Sequence, residues 1–160
     1  MTTRPGRRVT PRSDASDRGP AADRVAEADR VPEVARLGKL LLAGRSPALR
    51  SWAAESLAER GLVGAYAYLR HALWDPDEGV RESAVRAVGA LSVRQSAGEL
   101  AALYAWSGPR LRRAVLHAVG RIGYRSDFDG ILGLARRDPD PKVRALAGRA
   151  LRAAGTPRRS

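Results

Sequence analysis

A short apolar-arginine pair recurs four times, as Leu49-Arg50, Val80-Arg81, Leu111-Arg112 and Val143-Arg144, with the arginines 31, 31 and 32 residues apart. A period of this length is the mark of stacked units that cannot bury an apolar face alone, and it constrains the fold more than any other feature. The register extends beyond the pair. Three residues after each arginine stand Ala53, Ala84, Val115 and Ala147; six after stand Ser56, Ala87, Ala118 and Ala150; seven after stand Leu57, Val88, Val119 and Leu151. These offsets trace one stripe of a helix with 3.6 residues per turn. Four residues before each arginine lie Ser46, Asp77, Gly108 and Asp140, followed by Pro47, Glu78, Pro109 and Pro141. A capping oxygen with proline next is a helix start, since proline lacks only an N–H that the first turn cannot use. Gly108 is the weak member, capping by conformational freedom alone.

Between these helices lie second apolar segments, Leu62 to Trp74, Ser96 to Trp106 and Asp127 to Arg137, in which Leu69, Leu100 and Ile131 are again 31 apart. Each unit therefore reads as two antiparallel helices, with Gly61 and Gly123 at two of the turns. Upstream, Val34, Leu37, Leu41 and Leu42 mark Pro32 to Ala43 as the second helix of a degenerate leading unit; the apolar signal for a partner helix in 20–30 is thin. No strand pattern competes. The chain divides into a disordered arm of mixed charge over 1–30, a repeat domain over 31–155 and a basic tail over 156–160.

The pattern D-P-x-x-x-V-R-x-x-A-x-x-A-(V/L)-G, fullest over Asp75 to Gly89 and largely repeated from Asp138 to Leu151, resembles the HEAT repeat family, and in particular the short bacterial HEAT-like repeats of the phycobilisome-lyase type. The first and third units depart from it, because neither Ser46 nor Gly108 follows an Asp-Pro pair. The resemblance implies an all-α solenoid of about four two-helix repeats whose second helices line a concave face. It specifies fold far better than function, since the family includes scaffolds, lyase subunits, nucleic-acid binders and regulators. A lyase or assembly-factor role is the remote alternative that follows from it.

Composition narrows the chemistry. There is no cysteine and there are two histidines, His71 and His117, which fall in different repeats. That leaves no thiol nucleophile, disulfide or zinc ribbon. The Asp-x-Asp pairs at 75/77, 127/129 and 138/140 lack the further oxygen ligands of a calcium loop; the twelfth residue from Asp75 is Arg86 where such a loop needs glutamate. Neither a serine-histidine-aspartate pattern nor a phosphate-binding glycine loop is present, so no catalytic residue, metal or cofactor is assigned and the expectation is a protein that is not an enzyme. No run of about 18 apolar residues suggests a membrane span. The N-terminus lacks the apolar core of a secretory signal, which points to a cytoplasmic protein.

The arginine series Arg50, Arg81, Arg112 and Arg144 admits two readings: a basic ladder facing phosphate or an acidic partner, or bridges to loop carboxylates within and between repeats. The spacing of six from Asp75 to Arg81 and from Asp138 to Arg144 favours the second, with Asp75, Asp77, Asp138 and Asp140 as partners, and the resemblance implies the same structural role. The remaining charge is uneven. Residues 107–160 hold thirteen basic and four acidic groups, giving +9 of the net +12. Arg113, Arg121, Arg149 and Arg152 fall on the exposed side of the later first helices, joined by Arg136 and Arg137, while Glu55, Glu59 and Glu82 occupy that side of the early ones. Such a patch attracts phosphate or an acidic protein surface. The aromatics Tyr66, Tyr68, Trp74, Tyr104 and Trp106 lie in or end the second helices, and of these Tyr68, Trp74 and Trp106 are the expected anchors for a partner. The expected function is a protein-binding scaffold or adaptor engaging an acidic surface, the alternative a nucleic-acid binder using the arginine patch. The last repeat lacks a second helix, which should leave Leu146 and Leu151 short of cover.

Overall fold

The computed structural model describes the backbone of residues 20–155 and the side chains of 30–153 apart from Val63. Most of the expected arm and the whole 156–160 tail lie outside the described residues. Among the described residues eight α-helices follow in order: α1 (Pro20–Ala43), α2 (Pro47–Glu59), α3 (Tyr66–Ala72), α4 (Glu78–Ala90), α5 (Ala97–Trp106), α6 (Pro109–Ile122), α7 (Asp129–Ala135) and α8 (Pro141–Gly155). Helices α2, α4, α6 and α8 stack side by side in one layer. The second layer is α1, α3, α5 and α7, each packed against its neighbours in the first.

The repeat register explains the first layer. Val80, Leu111 and Val143 are buried at the position before the arginine; Ala53, Ala84, Val115 and Ala147 at the third position after it; Leu57, Val88 and Val119 at the seventh. Small residues at the sixth position let adjacent helices approach closely, as Ser56, Ala87 and Ala118 do. At Gly89 the approach is tightest: a Cβ there would lie 2.7 Å from the Ala118 Cα. The stack frays in burial at its ends. Leu49, on the first helix of the layer, is 38 % exposed, and Ala150 and Leu151 on the last are only half-buried. Leu146, by contrast, is buried, because α8 rests on both α6 and α7; the expected shortage of cover falls on Leu151 alone.

Capping fixes where these helices start. The Ser46 Oγ accepts from the Leu49 N–H at 3.2 Å, the Asp77 Oδ1 from Val80 at 3.1 Å and the Asp140 Oδ1 from Lys142 at 2.8 Å. Gly108 has no side chain to offer, and Pro109 opens α6. Helix ends are fixed by a second periodic feature. Gly61, Ser92 and Gly123, each 31 apart, all have positive φ, at 64°, 52° and 91°. At the first two, the next residue's N–H reaches back five positions, Leu62 to the Leu57 carbonyl and Val93 to that of Val88, both at 3.1 Å. This is the Schellman closure, with Leu62 and Val93 buried beneath it. A short 3-10 turn then leads into each second helix, over Val63–Ala65, Arg94–Ser96 and Ser126–Phe128, so α3 and α7 are only seven residues long.

The leading unit differs from the sequence expectation. Rather than a separate helix after an arm ending at 30, one continuous helix of about 36 Å runs from Pro20 through Pro32 to Ala43. Its buried residues Leu37 and Leu41 belong to the second layer, where it packs on α2 and α3. Pro32 removes one helical hydrogen bond without ending the helix.

Candidate functional site

The arginine series forms a ladder along the loops that enter the first-layer helices. Arg50 binds the Asp75 carboxylate with two parallel bonds, Nε to Oδ2 at 2.7 Å and Nη2 to Oδ1 at 2.9 Å, while its Nη1 donates to the Gly44 carbonyl at 2.9 Å. Asp75 belongs to the next repeat, so this fork ties two repeats together. Arg112 also reaches the aspartate of the next repeat, but through one bond, Nη1 to Oδ2 at 3.1 Å, leaving its buried Nε unpaired, and the Tyr104 hydroxyl donates to that oxygen at 2.7 Å. Each aspartate also turns its own loop, Oδ1 accepting from the Asp77 or Asp140 N–H at 2.9 Å. Burial alone would raise both carboxyls. The Arg50 bond on Asp75, and the Tyr104 bond and Arg112 charge on Asp138, outweigh it and hold both below the ordinary aspartate range. Burial and the bond to Asp138 push the Tyr104 phenol up.

Arg81 and Arg144 behave differently. Each donates Nη1 only to backbone, Arg81 to the Asp75 and Pro76 carbonyls at 2.7 and 3.0 Å, Arg144 to those of Asp138 and Pro139 at 2.7 and 2.9 Å. The expected bridges to Asp77 and Asp140 are therefore replaced by capping at those residues, with Asp140 also 3.6 Å from Arg113. For Arg144 the reason is position, since α8 is the last described helix. For Arg81 it is sequence: 25 residues on, where Arg50 finds Asp75, stands Trp106. Among the described residues no acceptor meets its Nε or Nη2.

That unfilled rung lies in a cavity of about 280 Å³ lined by Trp74, Asp75, Pro76, Arg81, Leu103, Trp106 and Ser107. Trp74, two residues past α3, is 51 % exposed, and Trp106, the last residue of α5, is 88 % exposed. Trp74 also borders a wider groove between α3 and α5, with Arg70, His71 and Glu99. The three expected anchors thus divide. Trp74 and Trp106 share a cavity at the loop edge of the stack. Tyr68 is half-buried at the other end, against Gly38 and in a cavity with Val31, Val34 and Leu62. Of the other aromatics, Tyr104 is in the core as part of a rung, Tyr66 is half-buried, its phenol raised to about 12 by burial and Glu99, and Phe128 is fully buried. Trp52, on the outer face of α2 and 48 % exposed, is an apolar surface residue that the aromatic pattern of the second helices does not point to.

The basic patch is partly neutralised. Arg113 faces Asp140, Arg110 grips Glu82 at 2.6 Å and Arg86 bridges Glu55 at 3.3 Å. Glu82 is accordingly only 14 % exposed in its side chain rather than standing on the open face. Arg121, Arg136, Arg137, Arg149 and Arg152 are exposed, with Arg136 and Arg137 beside the exposed Leu134 on α7. His71 and His117 are also at the surface.

Two layers of antiparallel helices, stacked at a 31-residue period and tied by arginine-aspartate rungs, define an α-solenoid. The family model described as HEAT repeats matches residues 34–107 and 75–152, spanning most of the chain. The chain belongs to the HEAT repeat family. No curated protein sequence matches it. Among the described residues no helix is long and apolar enough to cross a membrane.

Proposed function

We propose that the chain is a non-enzymatic scaffold or adaptor that binds a protein partner with an acidic surface. The observation that carries this reading is the pair of exposed tryptophans at the loop edge of the second layer, Trp74 and Trp106, on either side of a break in the ladder. Large aromatics left in water beside an arginine are the residue types that dominate binding energy once desolvated. The positive excess after residue 107, carried at the surface by Arg121, Arg136 and Arg149, supplies steering toward acidic partners. In this reading Tyr68 is a contributor to packing against α1 rather than an anchor.

Affinity capture from cell lysate with a Trp74→Ser/Trp106→Ser variant as control tests the reading. Loss of specific capture in that variant, with only weakening on charge reversal of Arg121 and Arg149, supports it. Capture indifferent to both tryptophans refutes it. Titration of duplex and single-stranded DNA and RNA at rising salt tests the alternative: tight binding that survives physiological salt and depends on Arg121 and Arg149 would place nucleic acid ahead of protein.

A further inference from the structure

The chain carries its own template for what fits between two repeats. At the first junction a carboxylate from an Asp-Pro turn occupies the Nε/Nη2 edge of Arg50; at the third, Asp138 of another Asp-Pro turn meets Arg112 through Nη1 instead. At the second junction Arg81 is anchored by Nη1 in the same way as Arg50, to the carbonyl six residues before it, which fixes the guanidinium in place. The edge that would receive the carboxylate meets no acceptor among the described residues, because Trp106 occupies the aspartate position. The indole does not fill the gap; it is 88 % exposed and forms a wall of the cavity.

We propose that this open rung is a binding site for an aspartate or glutamate side chain presented by an acidic segment of a protein partner, with Arg81 as the carboxylate clamp and Trp74 and Trp106 as apolar walls. The proposal deepens the scaffold reading and rests on it. A planar carboxylate matches the guanidinium fork. The tryptophans flank it with surface that a peptide backbone and neighbouring apolar side chains can cover. The local charge favours a monoanion over a phosphate group. Among the described residues Arg81 is the one cation lining the cavity, Asp75 lines it too with its carboxylate already bound to Arg50, and Asp77 sits on the same loop. A dianion would meet those carboxylates with a single arginine to balance them.

The experiment is a titration of the full isotope-labelled chain with a capped tetrapeptide Ala-Asp-Pro-Ala, and with its Ala-Asn-Pro-Ala counterpart, followed by nuclear magnetic resonance. The expected result is saturable shifts of the Arg81 Nε–H and the Trp74 and Trp106 indole N–H signals. The aspartate peptide should bind at least about tenfold more tightly than the asparagine one. Trp106→Asp should abolish binding, since it installs the missing carboxylate within the chain. If that variant does not fold, Arg81→Lys serves in its place; it keeps the charge, lacks the fork and should weaken binding about tenfold. Equal affinity for both peptides, inorganic phosphate outcompeting the aspartate peptide, shifts centred on Arg121 and Arg149, or no saturable shift would each overturn the proposal. Failure of the scaffold reading is separate, since it shows as lysate capture that ignores the tryptophans.

Discussion

Replacing Asp138 with alanine should cost about 3 kcal/mol, near the lower end for removing one partner of a buried ion pair. The estimate follows from what the carboxylate holds. It accepts from the Tyr104 hydroxyl at 2.7 Å, the Arg112 Nη1 at 3.1 Å and the Asp140 N–H at 2.9 Å. Its side chain is 2 % exposed, while that of Arg112 is 24 % exposed. Bonds to a charged group contribute about 1.5–3 kcal/mol each, and a buried donor left unpaired costs about 1–3 kcal/mol. Arg112 can recover part of its loss by meeting water, which is why the figure sits at the low end. Tyr104→Phe should cost about 1.5 kcal/mol, the low end for a bond to a charged group, because Asp138 keeps Arg112 and loses only the hydroxyl. The double variant is the sharper test. Once the carboxylate is gone the buried hydroxyl is an orphan, so removing it should recover about 1 kcal/mol and make the pair non-additive. Urea unfolding followed by far-ultraviolet circular dichroism reads all three without the screening that guanidinium chloride would introduce. Unchanged m-values are needed, since a stack of repeats can lose its cooperativity when one junction weakens. A cost for Asp138→Ala below about 1 kcal/mol, or strict additivity with Tyr104→Phe, would refute the account of the rung as a coupled buried network.

The pH dependence follows from the same two rungs. Asp75 and Asp138 have folded pKa values lowered from 3.8, so their contribution is present above the ordinary aspartate range and is lost as pH falls through the lower folded values. Thermal midpoints should be flat near neutrality and fall below about pH 4, and Asp75→Asn with Asp138→Asn should flatten that fall. At the turns, Ser92→Gly should raise stability by up to about 1 kcal/mol by relieving the positive φ, and Gly61→Ala should lower it by about 1 kcal/mol. No atom lies within 4 Å of a Cβ at Gly61, so the second measurement isolates backbone strain from packing. Gly89→Ala should destabilise by about 1–2 kcal/mol despite alanine's better helix propensity, because α4 would be forced away from the Ala118 backbone. Chemical denaturation checks all three.

The first layer was legible because one stripe of residues does one job in every repeat. Leu57, Val88 and Val119, or Ala53, Ala84 and Val115, are buried for the same geometric reason, and their spacing announces it. The capping residues Ser46, Asp77 and Asp140 were equally plain. What escaped were features in which a residue departs from its type. Ser92 takes the positive φ that glycine takes at 61 and 123, and nothing in its chemistry signals that; only its place in the period does. Tyr104 carried no assigned role, because the aspartate that takes its hydroxyl into a rung is 34 residues away. Glu82 looked exposed on the helical wheel, but Arg110 and Arg86 fold over it from its own and the next helix. Pro32 suggested a boundary, yet the helix passes through it, held on its C-terminal side by the buried Leu37 and Leu41.

The same logic bears on where function can reside in a chain so uniform. A repeat array is stabilised by recurrence: the same stripe is used at each junction and caps and rungs recur at the same positions, so a residue that obeys the period and finds its partner is already accounted for by packing. Arg50 and Arg112 are in that position, held by carboxylates of the following repeat. Arg81 obeys the period as strictly as they do, with its Nη1 on the expected carbonyl, and yet its partner position holds Trp106. Had selection favoured stability alone, aspartate at 106 would have closed the ladder, and an 88 % exposed tryptophan would not stand in water. A rung left open, walled by two exposed indoles and placed midway along the stack, is a departure that packing does not explain and that the proposed carboxylate site would account for.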